Sequence, residues 1–185
     1  MKTKVVKIYK QGQIEELKIE ETNLKEIGED DVVIEHYFCG LNFIDINQRN
    51  GLYPLKQLPI EVGMEASGVV LDTGKNVTKF KSGDKVCHCM NLGSFSKKFV
   101  VNQNKVIKLD KKTDLKTAAS ATLQGLTAQY LLHQSWKLKK GQTLLIHAVS
   151  GGVGQLLCQW AKLIGAKVLG TVGTKEKENI AKSIG

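Results

Sequence analysis

The residues that most clearly could do chemistry lie in the segment LLIHAVSGGVGQLLCQWAKLIGAKVLGTV. Within it Ala148, Gly151, Gly152, Val153 and Gly154 form an A-x-x-G-x-x-G turn between an apolar stretch and a helical pattern. Glycines at such a turn let the backbone approach a diphosphate, and the start of the following helix offers unpaired N–H groups and a positive dipole end. No G-K-[ST] follows, so this is not a Walker-type loop. The second apolar stretch ends without an acid and runs into Gly173, Thr174, Lys175, Glu176 and Lys177. An Asp or Glu at that point would accept from ribose hydroxyls; small residues, a hydroxyl and lysines suit a 2′-phosphate instead. The expected cofactor is therefore NADPH (NADP), with Gly173, Thr174 and Lys177 at the phosphate.

These residues need a strand, a helix and a second strand to position them. Residues 143–147 read as the first strand, 152–164 as the helix ended by Gly165, 167–172 as the second strand, and 175–184 as a further helix. Residues 116–132 carry apolar residues at helical spacing with Gly125 inside, which predicts two short helices or one kinked helix. The first half has another pattern. Strands are expected at 4–8, 17–20, 31–39, 68–71, 85–89, 95–101 and 105–109, separated by turns such as Thr73-Gly74-Lys75-Asn76. A short helix is expected over 43–50, closed by Gly51. The expected fold class is α/β overall: a small β-barrel over 1–118, then part of a dinucleotide-binding domain over 119–185.

Bulk properties narrow the function. The chain has 185 residues, 42% hydrophobic and 24% charged, enough apolar material for a globular core. It has no apolar run of membrane-spanning length and no signal-peptide pattern, so a cytoplasmic protein is expected. The net charge of +9 is spread as lysine, with Arg49 the lone arginine, which argues against nucleic acid as the partner. Cys39, Cys87, Cys89 and Cys158 include no C-x-x-C pair, and reduced thiols are expected. Cys87-His88-Cys89 is not read as a metal site, because neighbours on a strand point to opposite faces.

Five segments appear together in a recognisable order: CGLNFIDINQRNGLYP, PIEVGMEASGVV, GDKV, LQGLTAQYLL and the nucleotide turn. In these the whole chain resembles the zeta-crystallin-like quinone oxidoreductases, zinc-free members of the medium-chain dehydrogenase/reductase superfamily, over their N-terminal portion. Val149 departs from the family pattern, which has a small residue there. The resemblance implies a GroES-like β-barrel catalytic domain, an incomplete Rossmann domain, and an active site in the cleft between them. It implies direct hydride transfer from NADPH to a quinone or enone, with Asn42 and Tyr53 as catalytic residues and Asn42, Gln124 and Thr127 also at the cofactor. Asn42 and Met64 occupy the places where the zinc-dependent sister family carries Cys and His, so no metal is expected. Glu65 is expected to hydrogen-bond within the cleft wall. Relatives are usually homodimers, and the dimer-forming region is expected to lie outside this chain. Alternative readings are an enal or enone reductase, and a non-catalytic NADPH- or RNA-binding relative.

Overall fold

The computed structural model describes residues 1–185. Two compact units divide it, Met1–Thr122 and Leu123–Gly185.

In the first unit, β1 (Lys2–Ile8), β2 (Lys18–Asn23), β3 (Asp31–Cys39), β4 (Ile60–Glu61), β5 (Glu65–Thr73), β6 (Lys85–Cys89), β7 (Lys98–Asn102) and β8 (Ile107–Lys108) form two sheets. Their orders are β2-β1-β4 and β7-β3-β5-β6-β8, and every pairing is antiparallel. Consecutive Val32, Val33 and Ile34 are all fully enclosed, so both faces of β3 are covered. Val32, Ile34, Val70, Phe80, Val86 and Val101 form the core. β5 runs longer than the expected 68–71, because Glu65, Ala66 and Ser67 also pair with β6 although their side chains look unlike a strand's. At Gly68 the neighbouring Glu35 carbonyl lies where a Cβ would stand, and a bulge falls between His36 and Phe38. The strand expected over 95–101 is confined to β7, and the one over 105–109 opens on a 3₁₀ turn at Gln103–Lys105. α1 (Phe43–Asn50) lies between β3 and β4 and ends at Gly51, whose φ of 93° is left-handed.

α2 (Leu115–Gln129) is one continuous helix followed by a π-helical turn, Tyr130–Ser135. Gly125 does not break it; a Cβ there would meet open space, so glycine carries only its modest helix cost. The widening comes further on.

In the second unit β9 (Thr143–Ile146) and β10 (Lys167–Gly170) pair in parallel, joined by α3 (Gly152–Ile164), and α4 (Lys175–Ile184) follows. Ile146, Val149 and Cys158 form one buried cluster, and Leu132, Leu138 and Ala161 another. Each strand stops one or two residues short of its expected end. Gly165, with φ 86°, closes α3 as expected.

Candidate functional site

The nucleotide turn is built from main chain. Leaving β9, the backbone takes a positive φ of 51° at Ala148, and Gly151 donates to the Ala148 carbonyl at 2.8 Å. Val149, the residue that departs from the family pattern, is 3% exposed and packs against Ile146 and Cys158. The turn is therefore anchored by an apolar side chain facing inward.

Gly151 caps α3 without any side-chain hydrogen bond, and the first helical amide bonded within the helix is Gln155, to the Gly151 carbonyl at 2.8 Å. The N–H groups of Gly152, Val153 and Gly154 thus stand at the helix start with no side-chain cap. A Cβ on Gly154 would run into the Ala148 carbonyl and the Val149 backbone, so α3 packs on the turn after β9 at a distance only glycine allows. A Cβ on Gly152 would collide with the carboxamide of Gln124. The structure thus brings Gln124 onto the turn. Thr127 is turned another way: its hydroxyl donates to the Leu123 carbonyl at 2.8 Å, one helical turn back.

At the far end of β10, Gly173 lies in open space, and the Thr174 hydroxyl caps α4 by accepting from Lys177 N at 3.3 Å. Lys175 is tied to Glu178 at 2.8 Å, and the same carboxylate holds Lys182 at 2.6 Å. The Lys177 side chain is exposed. Of the lysines beside the β10 end, Lys177 is the one whose ammonium is not committed to an acid.

The polar site of the first unit is built from side chains instead. Asn42, 8% exposed, stands at the start of α1, and its Nδ2 donates to Glu65 Oε2 at 2.8 Å. Its backbone N–H donates to Asp45 Oδ2, also at 2.8 Å. Asp45 is itself enclosed, at 5% exposure. Burial pushes its carboxyl up to about 6; the Asn42 N–H works against this, and the nearby Glu65 charge adds to it. Gly40 is required beneath this group, since a Cβ there would meet the Glu65 carboxylate and the Ala119 carbonyl.

Tyr53 lies past the other end of α1, roughly 12 Å along an eight-residue helix from Asn42. Its side chain is 48% exposed, and Leu41, Phe43 and Leu52 around the same helix are exposed by 68% or more. Asn42 and Tyr53 are therefore not brought into contact within this unit.

Sequence reasoning missed three features. Gln11 bonds two carbonyls around the Tyr53 loop, across a gap of some forty residues in the chain that no local pattern signals. Asp45 is buried, which its polarity did not suggest. Finally, His36 Nε2 and His88 Nε2 lie 2.9 Å apart, both rings enclosed. They come from β3 and β6, either side of β5, where their register partners Gly68 and Ala66 are small enough to let the rings meet. The His36 Nδ1 faces the Ser96 carbonyl at 2.9 Å, so it carries the proton; His88 then donates to His36, and Asn91 to His88 at 3.3 Å. Met64 is 6% exposed, and no three His, Cys, Asp or Glu side chains converge as a metal-holding group. All four cysteines are free thiols. No helix is long and apolar enough to cross a membrane.

Residues 28–141 match the family model of the alcohol dehydrogenase GroES-like domain. A quinone oxidoreductase of Pseudomonas aeruginosa is 43% identical over 161 residues, 86% of this chain and 50% of that protein. A 2-haloacrylate reductase of a Burkholderia species is 40% identical over 184 residues, 96% of this chain and 55% of that protein. The crystal structure of Escherichia coli quinone oxidoreductase complexed with NADPH superposes with a TM-score of 0.94 at 37% identity, covering 98% of this chain and 56% of that one. The chain thus spans about half the length of these relatives. An antiparallel β unit matching that model over most of its length, followed by a parallel pair with its glycine turn, shows that the chain belongs to the alcohol dehydrogenase GroES-like domain family.

Proposed function

We propose that this chain carries the nucleotide-phosphate site and the acceptor-facing residues of an NADPH-dependent reductase whose acceptor is a quinone. The observation that carries this reading is the start of α3, where uncapped N–H groups meet glycines that leave the backbone bare. Those amides, at Gly152, Val153 and Gly154, receive the diphosphate, and Ala148 and Gly151, bonded to each other, shape the turn beneath it. Gln124, lying over Gly152, closes one side of that seat. Gly173, Thr174 and Lys177 take the 2′-phosphate: a bare backbone, a hydroxyl and an uncommitted ammonium, with no acid at the end of β10 to favour an unphosphorylated ribose. Thr127 turns its hydroxyl onto its own helix in this structure and reaches the cofactor only by rotating away.

NADPH supplies a hydride when bound. The protein's part is to orient the acceptor and keep water from the reacting atoms. Asn42 has one amide hydrogen held by Glu65 and a second to offer cofactor or acceptor, so the carboxylate fixes its direction. Tyr53 offers a hydroxyl and a flat ring, and exposed Leu41, Phe43 and Leu52 suit a planar apolar molecule. Asn42 and Met64 are poor zinc donors, so the reading takes an acceptor that is already electrophilic and needs no Lewis acid. Water supplies the proton that completes the hydroquinone.

The relatives named quinone oxidoreductase, one of them complexed with NADPH, support this reading. The 2-haloacrylate reductase favours a second one, an activated alkene as acceptor. Steady-state oxidation of NADPH by a simple benzoquinone, beside NADH and beside a 2-haloacrylate, tests both. Quinone-dependent turnover with NADPH at least tenfold more effective than NADH is expected; turnover with the haloacrylate alone would move the assignment to the second reading.

A further inference from the structure

The loop that carries Tyr53 is short of its own anchors. Tyr53 N donates to the Asn47 carbonyl at 2.9 Å, and Gly51 turns the chain in a left-handed conformation. Leu52 N donates to Asn50 Oδ1 at 2.9 Å, and further ties come from a distant segment just after β1. Gln11 Nε2 donates to the Gln48 carbonyl at 2.7 Å and to the Tyr53 carbonyl at 2.9 Å, using both amide hydrogens. Next to it, Gly12 N donates to the Arg49 carbonyl at 2.7 Å. Gln48 and Arg49 close α1, where helix carbonyls lack partners of their own. The Gln11 side chain packs alongside Gly51, its Cβ, Cδ and Oε1 at ordinary contact, 3.7 Å, from where a Cβ of residue 51 would stand. The Gln11 amide thus joins the helix end to the tyrosine as one rigid piece.

We infer that Gln11 is a positioning residue for the acceptor, holding the Tyr53 ring where a quinone meets it. The inference rests on the acceptor-contacting role of Tyr53 proposed above. Gln11 touches no reacting atom. It acts by satisfying the two carbonyls with one planar amide, so its donors matter and its shape alone does not.

That distinction gives the test. Gln11→Glu keeps the shape, removes both donors and sets carboxylate oxygens against carbonyl oxygens. Gln11→Lys supplies donors again on a different frame. In the full chain, Gln11→Glu should raise the KM for benzoquinone about tenfold, the order set by losing the two hydrogen bonds, with kcat and the Kd for NADPH within about twofold. Gln11→Lys should recover most of the loss. Hydrogen exchange of the peptide spanning 48–54 should speed up in Gln11→Glu and slow again in Gln11→Lys, whether or not turnover is measured. In a Tyr53→Ala background the KM effect of Gln11→Glu should disappear. Unchanged exchange over 48–54 in Gln11→Glu overturns the inference. So does a KM response to Tyr53→Ala with none to Gln11→Glu. If neither substitution moves the KM, both the inference and the role of Tyr53 fall, and the fault lies with Tyr53; a loss of NADPH affinity in Gln11→Glu would mean general damage and would also overturn it.

Discussion

In the proposed function the nucleotide turn and the Asn42 group solve the same problem, presenting polar groups to a ligand, with different materials. The turn in the second unit uses backbone amides and gains its geometry from residues that lack side chains, Gly152 and Gly154. The Asn42 group in the first unit uses side chains, each fixed by another: Glu65 on the Asn42 amide, Asp45 on its N–H. A backbone site tolerates changes of chemistry but not of size. A side-chain site tolerates small changes of size but not of hydrogen-bonding capacity. Substitutions should therefore fail for opposite reasons in the two regions.

The largest effect should come from size at the turn. Gly154→Ala sets a methyl against the Ala148 carbonyl and the Val149 backbone, neither of which can rotate aside. A loss of about 2–4 kcal/mol in stability, with NADPH binding abolished, is expected by thermal unfolding and nucleotide titration. Gly152→Ala meets only the movable end of Gln124, so it should fold normally and weaken NADPH roughly tenfold by displacing that amide.

Hydrogen-bonding capacity is the sharper test in the first unit. Asn42→Leu keeps the branched shape but leaves the enclosed Glu65 carboxylate without this donor, which should cost about 1–3 kcal/mol in thermal unfolding and leave the NADPH phosphate contacts intact. Asn42→Asp, nearly isosteric, should be no better, because it sets a second carboxylate against Glu65.

Acid should distinguish the units next. Burial lowers His36 to about 4 and His88 to about 3, both below the ordinary value of 6.5. Their contribution is complete above pH 6.5 and fades as the pH falls towards 4, where the unfolded chain takes up protons that the folded one refuses. His36 faces His88, the Ser96 carbonyl, Phe99 and the Lys97 charge; burial and Lys97 oppose a second proton, and the Ser96 carbonyl, which favours it, does not outweigh them. His88→Phe should flatten the fall in stability of the first unit between pH 6.5 and 4, followed as Tm against pH. The smallest effect has the opposite sign. Asp45, raised to about 6, contributes most below pH 3.8 and loses that contribution as the pH rises through 6. Asp45→Asn should gain roughly 0.5 kcal/mol, a degree or two in Tm, at pH 7.5.

The turn was the more legible region. Its strand, glycines and helix are contiguous, so local spacing carried the geometry, and the helix ends at Gly51 and Gly165 followed from the same logic. What sequence spacing left out depended on register or distance. Gly68 and Ala66 make room for two histidines some fifty residues apart, and nothing near His36 or His88 announces it. Gln11 reaches Tyr53 from another strand's exit. The run from Glu65 to Ser67 gave no strand pattern because its polar side chains, Glu65 and Ser67, are enclosed, and burial of polar residues is what periodicity cannot report. Gly125 misled in the other direction: a glycine at an open helical position marks no boundary.

The central claim is that the main chain of the nucleotide turn receives the cofactor's phosphates. Backbone amide NMR of the chain titrated with NADPH and, separately, NADH measures this directly. Saturable shifts at Gly151, Gly152, Val153 and Gly154 are predicted, with further shifts at Thr174 and Lys177 for NADPH alone. Unmoved turn amides at millimolar nucleotide would contradict the account.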